Sequence, residues 1–205
     1  MKKLMLLMML TATLGACSSL APVKVPTQNT FTLTAANQKQ LTTKPTALTL
    51  LINAPQSNTA YQTTKMVYAE KPYQLQYFAY NRWITAPNEM LQPLLLQSFR
   101  NSNYFRAVVG APFYSFTSLR LDSQLIDFKQ QFLANHSQFQ MKLQITLSNN
   151  TNNRILFSKL FQASISANAN PQAGVIAANQ ATQQILQDAV SATITYLNKN
   201  PLKNP

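Results

Sequence analysis

The side chains that could carry out acid–base or nucleophilic chemistry are few and scattered. The 205-residue sequence has one histidine, His136, and five acidic residues, which are Glu70, Glu89, Asp122, Asp127 and Asp188. His136 lies between two predicted strands, where a turn residue is expected, and no nucleophile can be paired with a base. Asp122 and Asp127 are five residues apart on one predicted strand, so they point to opposite faces unless a bulge intervenes. The sequence therefore predicts that the protein is not an enzyme.

The composition also argues against the common cofactor and metal sites. Only three glycines occur, Gly15, Gly110 and Gly174, so no glycine-rich loop can surround a phosphate. One cysteine and one histidine exclude a multi-cysteine or histidine-rich metal site. We expect no metal and no cofactor.

Cys17, the only cysteine, stands where acylation chemistry is expected. Two lysines precede an apolar run over residues 4–14, as in a signal peptide. The run ends in Leu14, Gly15 and Ala16, directly before the cysteine. This order looks like a bacterial lipobox, in which the cysteine is diacylated and becomes the new N-terminus. The sequence therefore predicts a covalent lipid on Cys17.

The domain organisation follows from this motif. We predict a lipoprotein signal peptide over residues 1–16, a lipidated cysteine and flexible tether over 17–30, one folded domain over 31–200 and a disordered tail over 201–205. The tether is rich in Ser, Thr, Pro and Ala, and when extended it would reach about 40 Å. Ser18 stands where Asp would retain the protein in the inner membrane, so we expect transfer to the outer membrane.

The sequence is strongly basic, with 17 Lys plus Arg against 5 Asp plus Glu and a formal net charge of +12. Such a balance often marks nucleic-acid binding. Here the lysines are dispersed among other residues, and the export signal separates the protein from nucleic acid. The alternatives are attraction to anionic headgroups or an acidic protein surface, and simple solvation of the charge.

Alternation of apolar residues predicts several strands. A first core strand is predicted at Leu48, Leu50 and Ile52, with a short strand before it at Phe31 and Leu33. Later strands are predicted over residues 65–69, 73–83, 104–109, 119–132, 138–147 and 155–165. The strands over 65–69 and 73–83 form a hairpin, and the last three form an antiparallel meander whose first strand has a bulge after Leu125.

Two segments have helical periodicity. Pro87 opens a helix that ends at 101–103, with an apolar stripe of Met90, Leu91, Leu94, Leu95 and Phe99. Pro93 lies within this stripe, so the helix either is kinked or starts its regular part later. A long amphipathic helix follows Pro171 and ends near Lys199. The predicted fold class is α/β (α+β), with a mixed, largely antiparallel sheet packed against two main helices in a single domain.

The residues around the first predicted helix resemble those of a known family. A strand end with Tyr80 and Trp83, a helix opened by Pro87, and a strand with Phe105 and Val108 follow one another. This order is similar to the signature of the ABC-type transport auxiliary lipoproteins, the paraquat-inducible C-like group. The lipobox before it and the long helix after it fit the same architecture.

One departure from the family pattern lies between the helix and the following strand. The family has a glycine before the Phe strand, whereas Asn101, Ser102 and Asn103 stand there in this sequence. Asparagine tolerates the left-handed backbone conformation better than most residues, so the turn is expected to survive.

The resemblance implies a lipoprotein anchored on the periplasmic face of the outer membrane. Such a protein assists an envelope transport system of permease, ATPase and MCE-domain protein, which moves lipids or other hydrophobic molecules. It is not the motor, and it docks on the periplasmic tunnel component. The implied partners are the MCE-domain protein and the outer membrane, with no nucleic acid, and the sequence leaves open whether the protein is a homo-oligomer.

Tyr80, Arg82 and Trp83 are the candidate docking rim. If the strand ends at an exposed rim, a tryptophan beside an arginine is a common interface anchor. If the strand turns inward, Trp83 belongs to the core, and Arg82 caps a helix or pairs with an acid. The sequence leaves both alternatives open.

A second class of function is a stand-alone periplasmic lipid carrier or an assembly factor for the outer envelope. A carrier requires a sizeable apolar cavity. A docking module has instead a filled core and an exposed rim.

Overall fold

Nine strands and two long helices make up the part of the chain that the computed structural model describes, residues 27–34, 42 and 44–202. The strands are β1 (Asn29–Phe31), β2 (Thr49–Ile52), β3 (Gln56–Ser57), β4 (Lys65–Ala69), β5 (Gln76–Trp83), β6 (Ala107–Gly110), β7 (Leu119–Phe132), β8 (Ser137–Asn149) and β9 (Ile155–Ala167). The helices are α1 (Pro87–Asn101) and α2 (Pro171–Lys199), and a single 3₁₀ turn covers Thr59–Tyr61.

The sheet is organised around β7. On one side β8 lies antiparallel to the whole of β7, and β9 lies antiparallel to β8. On the other side β7 pairs in parallel with β2, β3 and β4 in turn. β6 extends the sheet from β2, while β5 and then β1 extend it from β4. The sheet is therefore mixed, and its two longest ladders are antiparallel.

Strict alternation of side chains explains the burial of β8. Its odd-numbered residues from Phe139 to Leu147 are buried, and its even-numbered residues from Gln138 to Thr146 are partly exposed on the opposite face. Since β7 and β9 pair with β8 over most of its length, this opposite face of the three strands is an open, polar surface. The predicted hairpin of β8 and β9 is confirmed.

A bulge interrupts β7 at Ile126. Leu125 pairs with Leu143 and Asp127 pairs with Lys142, which leaves the intervening residue outside the ladder. This confirms the bulge that the change of phase predicted after Leu125.

α1 begins at the predicted proline and buries the predicted stripe. Ala86 is its N-cap, and Glu89 lies in the first turn, where a negative charge complements the helix dipole. The helix continues through Pro93, so the alternative of a later start is wrong. Beyond its end Asn103 has a φ of 54°, the left-handed conformation that the sequence predicted for this turn.

α2 covers the sheet with the apolar face that its periodicity predicted. Asn170 caps its start by accepting a hydrogen bond from the Ala173 amide at 2.8 Å. Ile185, Ala189 and Ile194 are among the residues that it buries. α2 packs on β8 and β9, and α1 packs on β2, β6 and α2.

Two strands start three residues later than predicted. β5 starts at Gln76, because Tyr73 has a φ of 65° and belongs to the turn. β6 starts at Ala107, because Tyr104 and Phe105 are buried against each other with their ring centroids 5.1 Å apart before the ladder begins. The protein is a single α/β domain with a mixed sheet and two helices, as predicted.

Candidate docking surfaces

The three residues of the predicted rim lie near the end of β5 in different environments. Trp83 is only 2% exposed, and its ring lies 5.5 Å from that of Phe128 in the core. Arg82 donates hydrogen bonds from Nη1 to the backbone carbonyls of Phe78 and Asn81. Tyr80 is half exposed.

The burial of Trp83 corresponds to the inward alternative that the sequence left open. Arg82 neither caps a helix nor pairs with an acid, because it binds the backbone of its own strand. Of the three, Tyr80 presents the most side-chain surface to a partner. That this rim docks a partner stays a prediction.

The structure adds an exposed apolar surface at the hairpin end of the sheet. Tyr73 and Leu75 lie in the β4–β5 loop, and Leu133 follows β7. We call these three residues the apex surface. The sequence signal was present, since residues 73–79 alternate with period two, but the alternation alone did not reveal that this face is open to solvent.

A second exposed apolar surface lies at the opposite end of β7. Phe113, Tyr114 and Phe116 are exposed in the β6–β7 loop, and Ile155 is exposed at the start of β9. We call these four residues the distal surface. Three aromatic residues in a segment bounded by Gly110 could have indicated it, because such clusters in loops mark interaction sites.

Hydrogen bonds hold the distal loop to the sheet at both ends. The Ala111 amide donates to the Ile52 carbonyl at 3.0 Å, and the Ser118 amide donates to Thr49 Oγ1 at 2.8 Å. The neighbouring β8–β9 turn joins it through Asn150, whose backbone amide donates to the Ser118 carbonyl at 3.0 Å. The three exposed aromatic residues of the distal surface therefore lie in a loop whose two ends are fixed to the sheet.

The bulge in β7 places two carboxylates on the same open face. Asp122 pairs with Thr146, and Asp127 pairs with Lys142, both on the exposed side of β8. In a regular strand, two residues five positions apart point to opposite faces, so the bulge at Ile126 is what allows Asp122 and Asp127 to share one. This resolves the alternative that the sequence left open.

Each carboxylate is engaged by neighbouring donors. Asp122 accepts from Asn53 Nδ2 at 2.6 Å and from Arg120 Nε at 2.9 Å. Asp127 accepts from the Tyr61 hydroxyl at 2.8 Å and forms an ion pair with Lys129.

The hydroxyl of Tyr61 is held in its protonated form. Its burial, and next the negative charge of Asp127, raise the pKa of this phenol far above its usual value. The hydroxyl therefore acts as a hydrogen-bond donor to the carboxylate rather than as a base. This hydrogen bond joins the 3₁₀ turn to β7.

His136 lies exposed in the β7–β8 turn, as the sequence predicted. Its backbone carbonyl accepts a hydrogen bond from the Leu133 amide at 2.9 Å, which closes the turn. Within residues 27–34, 42 and 44–202, no three His, Cys, Asp or Glu side chains gather as a metal ion would require.

The described surface includes two open grooves. One of about 440 Å³ is lined by residues that include Asn53, Asp122 and Gln144. The other, of about 480 Å³, is lined by residues that include Arg154 and Asn200. The first is lined largely by polar side chains, and the second also by Leu156, Tyr196, Pro201 and Leu202. Both are open at the surface, whereas a lipid-carrying cavity encloses most of its ligand.

Cys17 and the lipobox residues Leu14, Gly15 and Ala16 lie outside the described residues, as does the tail over 203–205. In the part of the chain that is described, neither helix combines the length and the apolar character needed to cross a bilayer.

The fold defines a two-layer α/β domain, and several of its exposed apolar residues lie at the two ends of one long strand. Residues 31–190 match the family model described as "ABC-type transport auxiliary lipoprotein component". The protein belongs to this family of auxiliary transport lipoproteins.

Solved structures share the fold. A crystal structure of a Xanthomonas campestris protein, assigned to family model DUF330, superposes with a TM-score of 0.76 at 16% identity and covers 84% of this chain and 98% of that one. Another crystal structure, of an uncharacterized protein, has a TM-score of 0.62 at 12% identity and covers 82% of this chain and 99% of that one. No curated protein matches the sequence. At these identities the likeness concerns the fold alone.

Proposed function

We propose that the protein is a lipid-anchored, non-catalytic accessory component of an ABC transport system. It is attached to the periplasmic face of the outer membrane through Cys17 and docks on the MCE-domain protein of that system. The family match over residues 31–190 is the observation that carries this proposal. The lipobox at 14–17 and the serine after it support the anchor and its destination.

The packing supports a docking role over a carrier role. Leu50, Leu121, Leu143 and Ile185 are fully buried at the sheet–helix interface, so the space between the two layers is filled by side chains. The two grooves described above are open at the surface and do not enclose a volume. A carrier must enclose the acyl chains of its cargo, whereas a docking module needs only an exposed surface.

The acidic residues on the open face support a non-catalytic role. Asp122 and Asp127 both accept hydrogen bonds from neighbouring side chains and lie beside cations, Arg120 and Lys129. Both carboxylates are therefore engaged in contacts within the sheet, and the groove that Asp122 lines is open and largely polar.

Two surfaces are candidates for the partner. The first is the rim around Tyr80, and the second is the distal surface, where the Tyr114 side chain is 96% exposed. Exposed aromatic residues are enriched at the centres of protein interfaces, because they bury much area at little entropic cost. The MCE-domain protein would bind one of these two surfaces.

In-cell photo-crosslinking tests the proposal. A photoreactive phenylalanine analogue replaces Tyr80 in one variant, Tyr114 in a second and Gln187 in a matched control. Gln187 is exposed in the middle of α2, away from both surfaces. We expect the MCE-domain protein to be captured from Tyr80 or Tyr114 and not from Gln187, with mass spectrometry as the readout.

Two outcomes would count against this function. Capture of no protein from either tyrosine, with a stoichiometric lipid in the purified material, would favour the carrier. Equal capture from Gln187 would show that the crosslinks report crowding rather than a docking surface.

A further inference from the structure

Two loops leave the sheet side by side at its hairpin end. β4 and β7 are parallel neighbours, paired at Tyr68 with Gln130 and at Ala69 with Gln131. The loop over residues 70–75 follows β4, and the turn over 133–136 follows β7. Because neighbouring parallel strands end at the same edge, both loops emerge at that edge.

Three aromatic rings from the strands that carry these loops pack against one another at the base of the loops. The Tyr68 ring centroid lies 4.5 Å from that of Phe78 and 5.6 Å from that of Phe132. Gln131 adds a hydrogen bond from Nε2 to the Ala69 carbonyl at 3.1 Å. The apex surface of Tyr73, Leu75 and Leu133 therefore rests on one packed base.

Tyr73 has a backbone conformation that tyrosine disfavours. Its φ of 65° is a left-handed conformation, which costs a bulky residue energy that glycine would avoid. At the two other described non-glycine positions with positive φ the chain has asparagine, Asn103 and Asn153. The Tyr73 side chain is fully exposed, so packing within the fold does not explain an aromatic residue there.

The chain enters the fold from the same end. β1 is parallel to β5 and pairs with its last three residues, beginning at Asn29 beside Asn81. β5 starts at Gln76 at the hairpin end, so the chain before Asn29 approaches from that end. Asn29 lies five residues along β5, about 17 Å from the start of that strand. The twelve residues from Cys17 to Asn29 span up to about 37 Å, which is enough to pass the apex surface.

We propose that the apex surface lies in the headgroup region of the membrane leaflet that holds the lipid anchor. The proposal rests on the proposed lipidation of Cys17. Tyrosine is favoured at membrane interfaces, where its ring contacts the acyl boundary and its hydroxyl stays hydrated. The two leucines add apolar area beside it, and the tether holds this area within reach of the lipid surface.

The charges around the apex surface indicate that the contact is apolar. Glu70 and Lys71 lie in one loop and His136 in the other, so the opposite charges of the first two balance. An apolar contact is not weakened by salt, whereas an attraction between charges is. The contact is therefore expected to be insensitive to ionic strength.

Site-specific fluorescent labels test the proposal in lipidated protein. In the acylated protein the only cysteine is blocked, so Tyr73→Cys, Leu133→Cys and the control Tyr114→Cys each have one free thiol. Each variant is labelled with a polarity-sensitive dye and reconstituted into phosphatidylethanolamine–phosphatidylglycerol vesicles. We expect a blue shift, and quenching by nitroxides on the lipid chains, at positions 73 and 133 but not at 114, and the same result in high salt.

Three results have distinct meanings. Unquenched dye at 73 and 133 in vesicle-bound protein would overturn the proposal. Quenching at 114 instead would also overturn it and would place the opposite end at the membrane. If unmutated protein accepts the dye at Cys17 and fails to float with vesicles, the anchor itself is absent, and the proposed function fails with it.

Discussion

Gln130 joins the start of α2 to the sheet through one buried amide group. Its Nε2 donates to Ser137 Oγ at 2.7 Å and to the Asn170 carbonyl at 3.0 Å. The opposite side of the amide lies against Gly174, where an added Cβ would be 2.1 Å from Oε1. Glycine is needed here for close approach, since its φ is not positive.

Gly174→Ala should therefore destabilise the fold. The new methyl group displaces Gln130 and breaks buried hydrogen bonds, each contributing about 1 kcal/mol, while alanine returns about 1 kcal/mol of helix propensity. With the added steric strain we expect a net loss of about 1–2 kcal/mol in the free energy of unfolding. Urea denaturation followed by circular dichroism measures this.

Gly110→Ala is the matched control. Its added Cβ would meet Leu96 Cδ1 at 2.9 Å, and this is the end of a flexible, partly exposed side chain that can move. A Gly174→Ala variant as stable as Gly110→Ala would show that Gln130 does not hold α2 in the way described.

At the scale of residues, the sequence predicted local backbone conformation better than exposure. His136 was placed in a turn from its neighbours alone, and the left-handed Asn103 from a comparison of residue types. The position of Trp83 at a strand end does not decide whether its side chain is exposed or buried. It is buried because its ring packs against that of Phe128, forty-five residues further along the chain. A local pattern does not contain that contact.

Single elements depend on the register of their neighbours, and the bulge in β7 is the clearest case. Ile126 is the one residue between Leu125 and Asp127 that has no place in the β7–β8 ladder. Its side chain is exposed. Removing it would leave every other pairing of the two strands unchanged.

Deletion of Ile126 should accordingly give a folded protein, with a loss of about 1 kcal/mol or less. Deletion of Gln140 from the regular strand β8 is the control, because it shifts part of that strand by one residue and turns core side chains outward. We expect this variant not to fold. Circular dichroism and thermal melting measure both, and loss of folding on removal of Ile126 would contradict the assignment of the bulge.

The sequence predicted elements whose signal is local. The alternation of apolar residues in β8 and the apolar stripe of α2 predicted these two elements correctly, because each pattern repeats over more than ten residues. The parallel pairing of β7 with β2, β3 and β4 was not predicted, since short strands contain no information on their partners. The late starts of β5 and β6 were missed because Tyr73 and Tyr104 are aromatic yet lie outside the ladders.

On the scale of the whole molecule, the anchor and the fold are separate parts. Cys17 lies ten residues before Thr27, where the described structure begins. Exchanging residues 1–16 for a cleavable secretory signal, together with Cys17→Ser, should leave the domain folded and release it from membranes. The apex surface would not hold it, because even one myristoyl chain gives only marginal membrane binding.

Fractionation of cells in high salt tests this release. Ser18→Ala, which leaves the lipobox intact, is the control and should remain in the membrane fraction. Retention of the Cys17→Ser protein with membranes would show that something other than the lipid anchors it.

Neither end surface could be predicted from the sequence as a surface. Leu75 and Leu133 are fifty-eight residues apart and lie at the same edge of the sheet only because β4 and β7 are parallel neighbours. The distal aromatic residues gain their position from β7, whose 14 residues separate the two ends by about 43 Å. Topology therefore decides which loops act together.

This separation also restricts how the protein can evolve. Because side chains alternate between the two faces of the sheet, an insertion inside the β7–β8 ladder keeps the core side chains on both sides of it inward only when it adds an even number of residues to each strand, in steps of about 7 Å. An odd insertion survives only as a bulge. Ile126 is what such a single-codon insertion would leave, and it gives lineages of this protein a way to lengthen one strand without reversing its core.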